Sequence, residues 1–473
     1  MTTKLDSELE TIQIGDTRLD NRCKAIYKSF SDNPCRSVNA SCGGWKEVKA
    51  AYRFFDNDKV TPEKILKPHT KSTIERISKE KIVLCLQDTS IIDYSKRRPI
   101  EGLSHVRGEM DQGFLMHPTV AINDNGLPLG MLKNEMWVRE SFQTTEEKAK
   151  NRYKPIEGKE SMRWIESYRY CNELAESYPD VKFINITDRE GDFLELLKEY
   201  KEGISKAHLI VRAKADRLLT PETEGDELPK KLWSTMRAQN SIGTVQFELE
   251  SIDKPRIKNR TGKEARQKRM ITQEIRVKRV MLGKSRATKA EAKLGGLEIT
   301  AILCTEINPP ANEKPIEWLI LTSLRLDNDI TAEKILRYYL YRWQIESFFK
   351  ILKSGCKIEE LQFDSYKRLQ LSITMYCVVA WRVFYITWIA RTCPELPCDL
   401  VFAEVEWKAA YMIGTRQKPP LSPPNMSEIV TLIAGFGGFL GRKNDKQPGA
   451  KSLWIGLQRL KDFALCYEVF NAK

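Results

Sequence analysis

Apolar and alternating runs divide the middle of the chain into strands and helices. From Lys81 the pattern gives three strands, IVLCLQDTS, GFLMHPTVAIN and PLGMLKNEMWV, and the Asp-Asn-Gly turn before the third is a hairpin signal. Helical periodicity follows in SMRWIESYRYCNELAESY and GDFLELLKEYKEG, and each helix precedes a strand, VKFINITD and AHLIVRAKA. This region is therefore predicted to be α/β, with three antiparallel strands followed by a parallel β-α-β unit.

After Ala215 the α/β pattern stops, and short alternating runs follow: TVQFELESI, QEIRVKRVML, LEITAILCTEI and IEWLILTS. They favour a β-rich insertion at about 216–325, after which the main domain resumes. The order of the other elements is that of a ribonuclease H-like fold. We therefore predict a ribonuclease H-like α/β catalytic domain over 71–370, interrupted by the insertion and flanked by helical domains over 1–70 and 371–473.

The N-terminal residues predict a small basic helical module. In IGDTRLDNRCKAIYKSF, Asp16 is the predicted N-cap, with Arg18 and Arg22 on the exposed side. The next helix, GGWKEVKAAYRFFDN, carries one aromatic and three basic residues: Trp45, Lys46, Lys49 and Arg53. Such a module suits binding to duplex DNA, but an amphipathic cap on the main domain has the same pattern, and the residues alone leave both interpretations open.

The C-terminal residues predict packed helices. The apolar run 372–390 has Arg382 at its centre, which would cost about 2.5–3.5 kcal/mol in a membrane, so we predict a buried core helix and no membrane partner. The N-terminus lacks the apolar run of a secretory signal, and the eleven cysteines contain no C-x-x-C pair; we expect a reduced, cytoplasmic protein. An apolar stripe of the last helix suits either a dimer interface or packing within the chain: Leu453, Trp454, Leu457, Leu460 and Phe463.

The positive charge of the chain is strongly local. The net charge is +13, and the stretch from Lys254 to Lys293 alone holds 15 basic and 3 acidic residues. This concentration favours a surface that binds a polyanion, and nucleic acid is the usual polyanion for a basic protein. Taken by itself, a solvated loop remains the alternative for this stretch.

Three acidic residues are placed where this fold class would bring them together. Asp88 and Asp188 close the strands IVLCLQD and VKFINITD, and Glu346 lies in a helix predicted from about Thr331 to Lys353. Two divalent ions need several hard oxygen ligands and stabilise both the attacking and the leaving oxygen in phosphoryl transfer. We predict that the three carboxylates bind metal. Asp93 is a competing candidate, but it lies beyond the strand end.

The helix around Glu346 has two faces. The polar stripe consists of Tyr339, Arg342, Glu346 and Lys353. The other stripe is apolar and suited to a core, and it consists of Tyr341, Ile345, Phe348 and Leu352. The polar stripe suits metal binding by its Glu and phosphate contacts by the other groups. From this helix alone, the alternative is a solvent-exposed surface on which Glu346 and Lys350 form an i,i+4 ion pair.

The pattern Y-x-x-R-x-x-x-E-x-x-x-x-x-x-K from Tyr339 to Lys353 resembles the signature of the Tn-five-type transposases of the IS-four group of bacterial insertion sequences. The resemblance covers essentially the whole chain through GDTRLDNR, AYRFFDN, QDTS, DREGD, IVRAKADR, EINPPANEKPIEWLILTS, RWQIESFFKILKSG and GFGGFLGRK. The helix signature combined with D-R-E-x-D is specific. One departure is Gly191, where the family often has alanine in D-R-E-A-D.

The resemblance implies a DDE transposase in which Asp88, Asp188 and Glu346 are the catalytic residues and bind two Mg²⁺ ions, for which Mn²⁺ substitutes. Such an enzyme binds the inverted-repeat ends of its element, nicks them, cuts through a hairpin intermediate and joins the 3′ ends to target DNA. Its partners would be double-stranded DNA and a second subunit in a synaptic homodimer, in the bacterial cytoplasm with the nucleoid.

The same resemblance implies DNA contacts outside the carboxylates. A flipped base would stack on Trp318, and four residues would contact phosphates around the distorted strand: Tyr339, Arg342, Lys353 and Arg212. Without the resemblance, Trp318 would be interpreted as a packing residue of a core.

Two other functions share part of the pattern. A ribonuclease H-like nuclease that cuts DNA without strand transfer would share the carboxylates, but it would need neither the N-terminal module nor the long insertion. A domesticated, non-catalytic DNA-binding protein would not need all three carboxylates, and all three are present.

Overall fold

The computed structural model describes residues 8–32, 41, 44–108, 111–139, 154–203, 206–220, 230–249, 269–283, 296–311, 313–442 and 445–471. The chain divides into two compact units by its contacts. The first comprises Met1–Pro155 and Trp343–Lys473, and the second comprises Ile156–Arg342. The three domains predicted from the sequence stay a prediction.

The described residues contain strands that follow the predicted order closely. They are β1 (Ile82–Gln87), β2 (Ser90–Asp93), β3 (Gly113–Asn123), β4 (Pro128–Trp137), β5 (Lys182–Thr187), β6 (His208–Arg212), β7 (Gly243–Leu249), β8 (Arg269–Leu282), β9 (Leu297–Glu306) and β10 (Glu317–Thr322). The helices are α1 (Thr17–Asp32), α2 (Trp45–Phe55), α3 (Pro62–Ile77), α4 (Met162–Ser177), α5 (Leu194–Glu202), α6 (Leu232–Arg237), α7 (Ala332–Tyr341), α8 (Gln344–Lys350), α9 (Tyr366–Thr392), α10 (Glu404–Thr415), α11 (Met426–Phe436) and α12 (Ala450–Asn471).

In the first unit, β3 is the central strand of an antiparallel sheet. It pairs with β1, with β2 and with β4, in registers that include Gln87↔Thr119 and Ser90↔Met116. Every residue of β3 is buried. A strand that is buried on both faces reads as a continuous apolar run, which is why GFLMHPTVAIN shows little alternation.

Helix α9 passes through the core of the first unit, and most of its apolar central stretch is buried. It is long and apolar enough to cross a membrane, but its burial against α3 and β4 is typical of a core helix. Phe30 of α1 stacks on Tyr376 of α9 with ring centroids 4.4 Å apart. Arg382 is buried near Glu406, with Nη2 and Oε1 3.8 Å apart. The core helix predicted around Arg382 is thereby confirmed.

A buried polar cluster joins the N-terminal residues to this core. Glu8 Oε2 lies 2.5 Å from His69 Nδ1, and Arg76 Nη1 donates to Glu8 Oε1 over 2.7 Å. His69 Nε2 accepts the amide proton of Met131, so the neutral ring carries its proton on Nδ1 and donates it to Glu8. Burial lowers the pKa of His69; burial would raise the pKa of Glu8, but His69 and Arg76 lower it overall.

In the second unit, the sheet order is β5-β6-β10-β9-β8-β7. Strands β5 and β6 are parallel, and each later neighbour is antiparallel to the one before it. The region predicted as a β-rich insertion thus supplies β7–β10 among the described residues, and these strands continue the sheet outward from β6. Its role as an insertion into a ribonuclease H-like core stays a prediction.

The helix predicted as one element from about Thr331 to Lys353 is divided in the structure. It consists of α7, a break at Arg342 and Trp343, α8, and a π-helical turn at Ile351–Gly355. At the break, the amide of Arg342 donates to the Tyr339 carbonyl, a tighter i→i−3 bond, and that of Glu346 to the Trp343 carbonyl in the same way. The sequence pattern did not reveal the break, because the residues of the polar stripe keep helical spacing across it: Tyr339, Arg342, Glu346 and Lys353.

Candidate functional site

Asp88 and Asp188 each follow directly after a strand, as predicted. Asp88 comes after β1 in the first unit, and its Oδ1 accepts the amide proton of Thr89 over 2.7 Å. Asp188 comes after β5 in the second unit, and its Oδ1 accepts the amide proton of Glu190 over 2.7 Å. In both cases the strand end and a main-chain amide fix the orientation of the carboxylate.

A buried histidine lies behind Asp88, and the sequence analysis missed it. His117 of β3 is fully buried; its Nδ1 is 2.9 Å from the Thr89 hydroxyl and its Nε2 is 3.2 Å from Gln87 Oε1. The ring therefore connects the two residues that flank Asp88. The available signal was a lone histidine inside the otherwise apolar run GFLMHPTVAIN, a position where a buried polar group needs partners.

Glu346 and Lys353 lie in the first unit, on α8 and on the π-helical turn after it. Glu346 is exposed. The Nζ of Lys353 donates to the carbonyl of Ile91 over 2.5 Å and lies 3.5 Å from Glu359 Oε1. Burial lowers the pKa of Lys353, while Glu359 opposes that effect. Lys353 is thus held against β2, a few residues after Asp88, and Glu359 is a partner that sequence reasoning did not identify.

The competing carboxylate, Asp93, ends β2 and is part of an ion pair. Its Oδ2 accepts from Arg107 Nη1 over 2.9 Å, and its Oδ1 accepts from the amide of Ser95. Burial would raise the pKa of Asp93, but the bonds from Ser95 and Arg107 lower it overall. These contacts give Asp93 a structural role in the β2 turn.

Two positive charges of the second unit act on Arg212, those of Arg189 and Arg342, and we call these three residues the arginine cluster. Burial lowers the pKa of Arg212, and the positive charges of Arg189 and Arg342 lower it further, while the Tyr339 side chain bonds to it and raises it. Tyr339 and Arg342 are buried, so these two members of the predicted polar stripe do not project into solvent. Arg212 Nε has no hydrogen-bond partner among the described residues.

Trp318 of β10 is packed beside this arginine cluster and is only 4% exposed. Its ring stacks on Phe247 with centroids 5.0 Å apart, and it contacts Tyr339 edge-on at 6.0 Å. The Arg212 guanidinium lies 5.7 Å from the Trp318 ring centroid. One face of the Trp318 ring is therefore covered by Phe247 in this structure.

The turn after β5 is fixed by Asp192. Its Oδ1 lies 2.5 Å from Arg217 Nη1, and its Oδ2 accepts the amide protons of Lys214 and Ala215. Glu190, in contrast, pairs with Arg163 at the surface over 3.1 Å. The second Asp of D-R-E-x-D is thus a buried anchor for the loop after β6.

Gly191 in the same turn is explained by its neighbour. A Cβ at this position would lie 2.3 Å from the Thr187 hydroxyl and 2.5 Å from Thr187 Cβ. Real Cβ atoms do not approach that closely, so the alanine that the family often has would force Thr187 to move. Glycine at position 191 therefore leaves room for the side chain of Thr187 at the end of β5.

The predicted DNA contacts of the N-terminal module lie on helices, as expected. Asp16 accepts the amide proton of Arg18 over 2.8 Å, which confirms it as the N-cap of α1. Arg18 and, on α2, Arg53 are exposed, and Arg22 is half-buried.

Only part of the basic stretch 254–293 falls within the described residues. In β8, Arg269 pairs with Glu306 and Glu313, and Arg279 pairs with Glu298. Arg276 also pairs with a carboxylate, that of Glu274. The flanking basic residues at 254–268 and 284–293 lie outside the described residues. The described arginines are thus engaged with acidic partners of the same unit.

The apolar stripe predicted on the last helix packs within the chain. Leu453, Trp454 and Leu460 are buried, and Phe463 contacts Phe436 of α11 edge-on at 5.0 Å. The alternative of intramolecular packing is therefore correct for these residues. The exposed apolar residues of α12 lie nearer its end: Leu465, Val469 and Phe470.

The three carboxylates offer hard oxygen donors, the ligand type that Mg²⁺ and Mn²⁺ take. By chemistry, Asp88, Asp188 and Glu346 therefore fit a divalent cation. Within the ranges that the structure describes, no three Asp, Glu, His or Cys side chains are grouped closely enough to hold an ion.

Comparison with known proteins gives three matches to family models along the chain. Residues 1–60 match a transposase DNA-binding family, 203–381 match a transposase DDE domain, and 378–468 match the transposase Tn5 dimerisation domain. The DDE match includes Glu346 but begins after Asp88 and Asp188. These matches support DNA as a partner and the formation of dimers, and a DDE domain implies a ribonuclease H-like core.

Among solved structures, the chain is similar to a piggyBac transposase synaptic complex with hairpin DNA, determined by cryo-electron microscopy. The identity is 9%, the TM-score is 0.34, and the match covers 98% of this chain and 73% of that one. The three family matches, in the order DNA-binding, DDE and dimerisation, show that the chain belongs to the Tn5-type DDE transposases.

Proposed function

We propose that this transposase binds the inverted-repeat ends of its element, cuts them through a hairpin intermediate and joins the 3′ ends to target DNA. The observation that carries the proposal is the equivalent placement of Asp88 and Asp188. Each follows a buried strand, and each is oriented by a main-chain amide at 2.7 Å. Rigid, oriented carboxylates are what a phosphoryl-transfer site needs before substrate arrives.

Asp88, Asp188 and Glu346 would together hold two Mg²⁺ ions, with Mn²⁺ as a substitute. When bound, such ions stabilise the attacking and the leaving oxygen of the phosphodiester. The chain itself orients two of the carboxylates through the amides of Thr89 and Glu190, and it presents Glu346 on an exposed face of α8.

The arginine cluster of Arg189, Arg212 and Arg342 suits a DNA phosphate. Like charges repel, and burial makes the repulsion stronger, so the cluster gains most from an anion that bridges its members. The Tyr339 hydroxyl is the neutral group among them and can donate to the same phosphate. Lys353 donates one hydrogen bond to the Ile91 carbonyl, and its ammonium has further N–H donors that could bind a phosphate beside Asp88.

Base stacking on Trp318 would require a local rearrangement. Trp318 is only 4% exposed and Phe247 stacks on its ring, so a flipped base that uses this face would have to replace Phe247. The exchange is chemically balanced because one aromatic stack substitutes for another. Trp318 also lies beside Arg212, so a base bound at Trp318 would be close to a phosphate bound at Arg212.

The domain roles follow from the same proposal. Residues 1–70 would bind the element ends, 71–370 would form the ribonuclease H-like catalytic domain with its β-rich insertion at about 216–325, and 371–473 would join two subunits in the synaptic complex. The protein would act in the bacterial cytoplasm, on nucleoid DNA.

The test is an assay of strand cleavage on denaturing gels. The wild type, Glu346→Gln and the control Glu333→Gln are incubated with Mg²⁺ and labelled DNA that carries the repeats flanking the gene. Glu333 is exposed on α7 and has no proposed role. We expect hairpin-ended fragments from the wild type and the control, and bound but uncut DNA from Glu346→Gln.

Other outcomes point to the two alternatives. Nicks or breaks without hairpins or joined products would identify a nuclease without strand transfer. Binding without any cleavage by the wild type would identify a non-catalytic DNA-binding protein.

A further inference from the structure

The exposed face of α2 carries an indole ring among positive charges. Trp45 is the first residue of the helix and is 72% exposed. The Nζ of Lys49 lies 5.1 Å from the centroid of its ring. Lys46 and Arg53 are exposed as well. Because Trp45, Lys49 and Arg53 are four residues apart, they lie along one stripe of the helix, which we name the α2 stripe together with Lys46.

The opposite face of α2 is fixed in the core. Val48, Ala51, Phe54 and Phe55 are buried, and Phe55 packs edge-on against Phe363 at 5.5 Å. The orientation of the helix is therefore set by packing, and the α2 stripe faces away from that core. The Trp45 ring is therefore available on this face, with the Lys49 ammonium beside it.

The chemistry of the α2 stripe matches duplex DNA. Its three cations complement phosphates, and its length of about 12 Å, from eight rises of about 1.5 Å, is similar to the width of a major groove. Recognition helices usually contact base edges with the residues near their N-terminus, and Trp45 occupies that end. Its apolar ring can contact thymine methyl groups, and its indole N–H can donate to a base acceptor.

We propose that Trp45 is a sequence-reading contact of the transposase with the element end, while Lys46, Lys49 and Arg53 hold the phosphates on either side. The inference deepens the proposed end-binding function and rests on it. It assigns two different tasks to neighbouring residues on one helix. Lysine and arginine supply affinity that depends on salt, and tryptophan supplies discrimination between DNA sequences.

The experiment measures binding of the full-length protein to two labelled duplexes at several salt concentrations. One duplex carries the terminal repeat that flanks the gene, and the other is a scrambled duplex of equal composition. The variants are Trp45→Ala, Trp45→Phe, Lys49→Gln and Lys59→Gln. Lys59 is an exposed lysine of the same module, outside the α2 stripe, so it controls for loss of one charge.

For Trp45→Ala we expect the preference for the repeat over the scrambled duplex to fall by about 5- to 100-fold, with an unchanged salt slope. Trp45→Phe keeps an apolar ring and should lose less. Lys49→Gln should weaken binding to both duplexes and reduce the salt slope by about one. Lys59→Gln should resemble the wild type, and the melting temperature of Trp45→Ala should not fall because the side chain is exposed.

The outcomes separate this inference from the function on which it rests. A wild type that does not prefer the repeat would refute end binding itself. A wild type that prefers the repeat, with Trp45→Ala equally selective, would overturn only the role of Trp45.

Discussion

The imidazole Nδ1 of His117 lies 2.9 Å from the hydroxyl of Thr89, the residue directly after Asp88. On its other side, the ring approaches Gln87, the residue directly before Asp88, at 3.2 Å. One buried side chain of β3 thus braces both neighbours of a proposed metal-binding carboxylate. Groups that orient a ligand in this way commonly change metal affinity or activity when they are lost.

We predict that Thr89→Val lowers the cleavage rate or the apparent Mg²⁺ affinity about 10- to 100-fold, because valine keeps the shape of threonine but removes the hydroxyl that meets His117. Thr89→Ser keeps the hydroxyl and should remain close to the wild type. The measurement is the cleavage rate as a function of Mg²⁺ concentration. Equal metal dependence in all three proteins would show that the contact has no role in positioning Asp88.

A second prediction concerns two ion pairs of one turn that differ in burial. Asp192→Asn leaves Arg217 buried without its carboxylate and should destabilise the protein by about 3–5 kcal/mol. Glu190→Gln breaks the pair with Arg163, in which the Glu190 carboxylate is exposed, and should change stability by less than about 1 kcal/mol. Urea unfolding followed by circular dichroism compares the two. Similar midpoints for both variants would contradict the anchoring role of Asp192.

The buried pair of Glu8 and His69 predicts lower stability in acid. The pKa of His69 is lowered in the fold, so the unfolded chain binds a proton more readily below about pH 6.5, and stability is lost as the pH falls below that value. The pKa of Glu8 is also lowered in the fold. The stability that the Glu8 carboxylate contributes is therefore lost at lower pH, below about pH 4.5.

Thermal melts between about pH 8 and pH 5 test the contribution of His69. The wild type should lose stability on acidification, and His69→Gln should be less stable at pH 8 but lose less between the two values. His105→Gln, which removes a half-buried histidine, is the control and should keep the wild-type decline. A decline of equal size in all three proteins would rule out His69 as its source.

The fourth prediction separates a dimer contact from a core contact on α12. Phe470 is 79% exposed, and Leu460 is 1% exposed. Phe470→Ser should weaken dimer formation on DNA without lowering the melting temperature, whereas Leu460→Ser should lower the melting temperature by leaving a polar group in the core. Light scattering of the DNA-bound protein and thermal melts distinguish the two effects. If Phe470→Ser formed dimers as fully as the wild type, Phe470 would not be part of the dimer interface.

The strands were predicted well because their apolar runs are bounded by turn residues. The run GFLMHPTVAIN corresponds to β3 without a shift at either end. The positions of Asp88 and Asp188 after β1 and β5 could be predicted for the same reason. The burial of Trp318 agrees with the packing role that its residue type alone favours. The burial of Tyr339 could not be predicted, because it depends on residues distant in sequence, such as Trp318. The ion pair between Arg269 and Glu306 could not be predicted either, because a count of basic residues does not show which of them have acidic partners.

The break between α7 and α8 divides the transposase signature between the two units. Tyr339 and Arg342 belong to the segment that ends at Arg342, while Glu346 and Lys353 belong to the segment that begins at Trp343. A chimaera that exchanged residues 156–342 for those of a relative would therefore import a foreign tyrosine and arginine and retain the native glutamate and lysine. Activity of such a chimaera would therefore require that the foreign Tyr339 and Arg342 work together with the native Glu346 and Lys353.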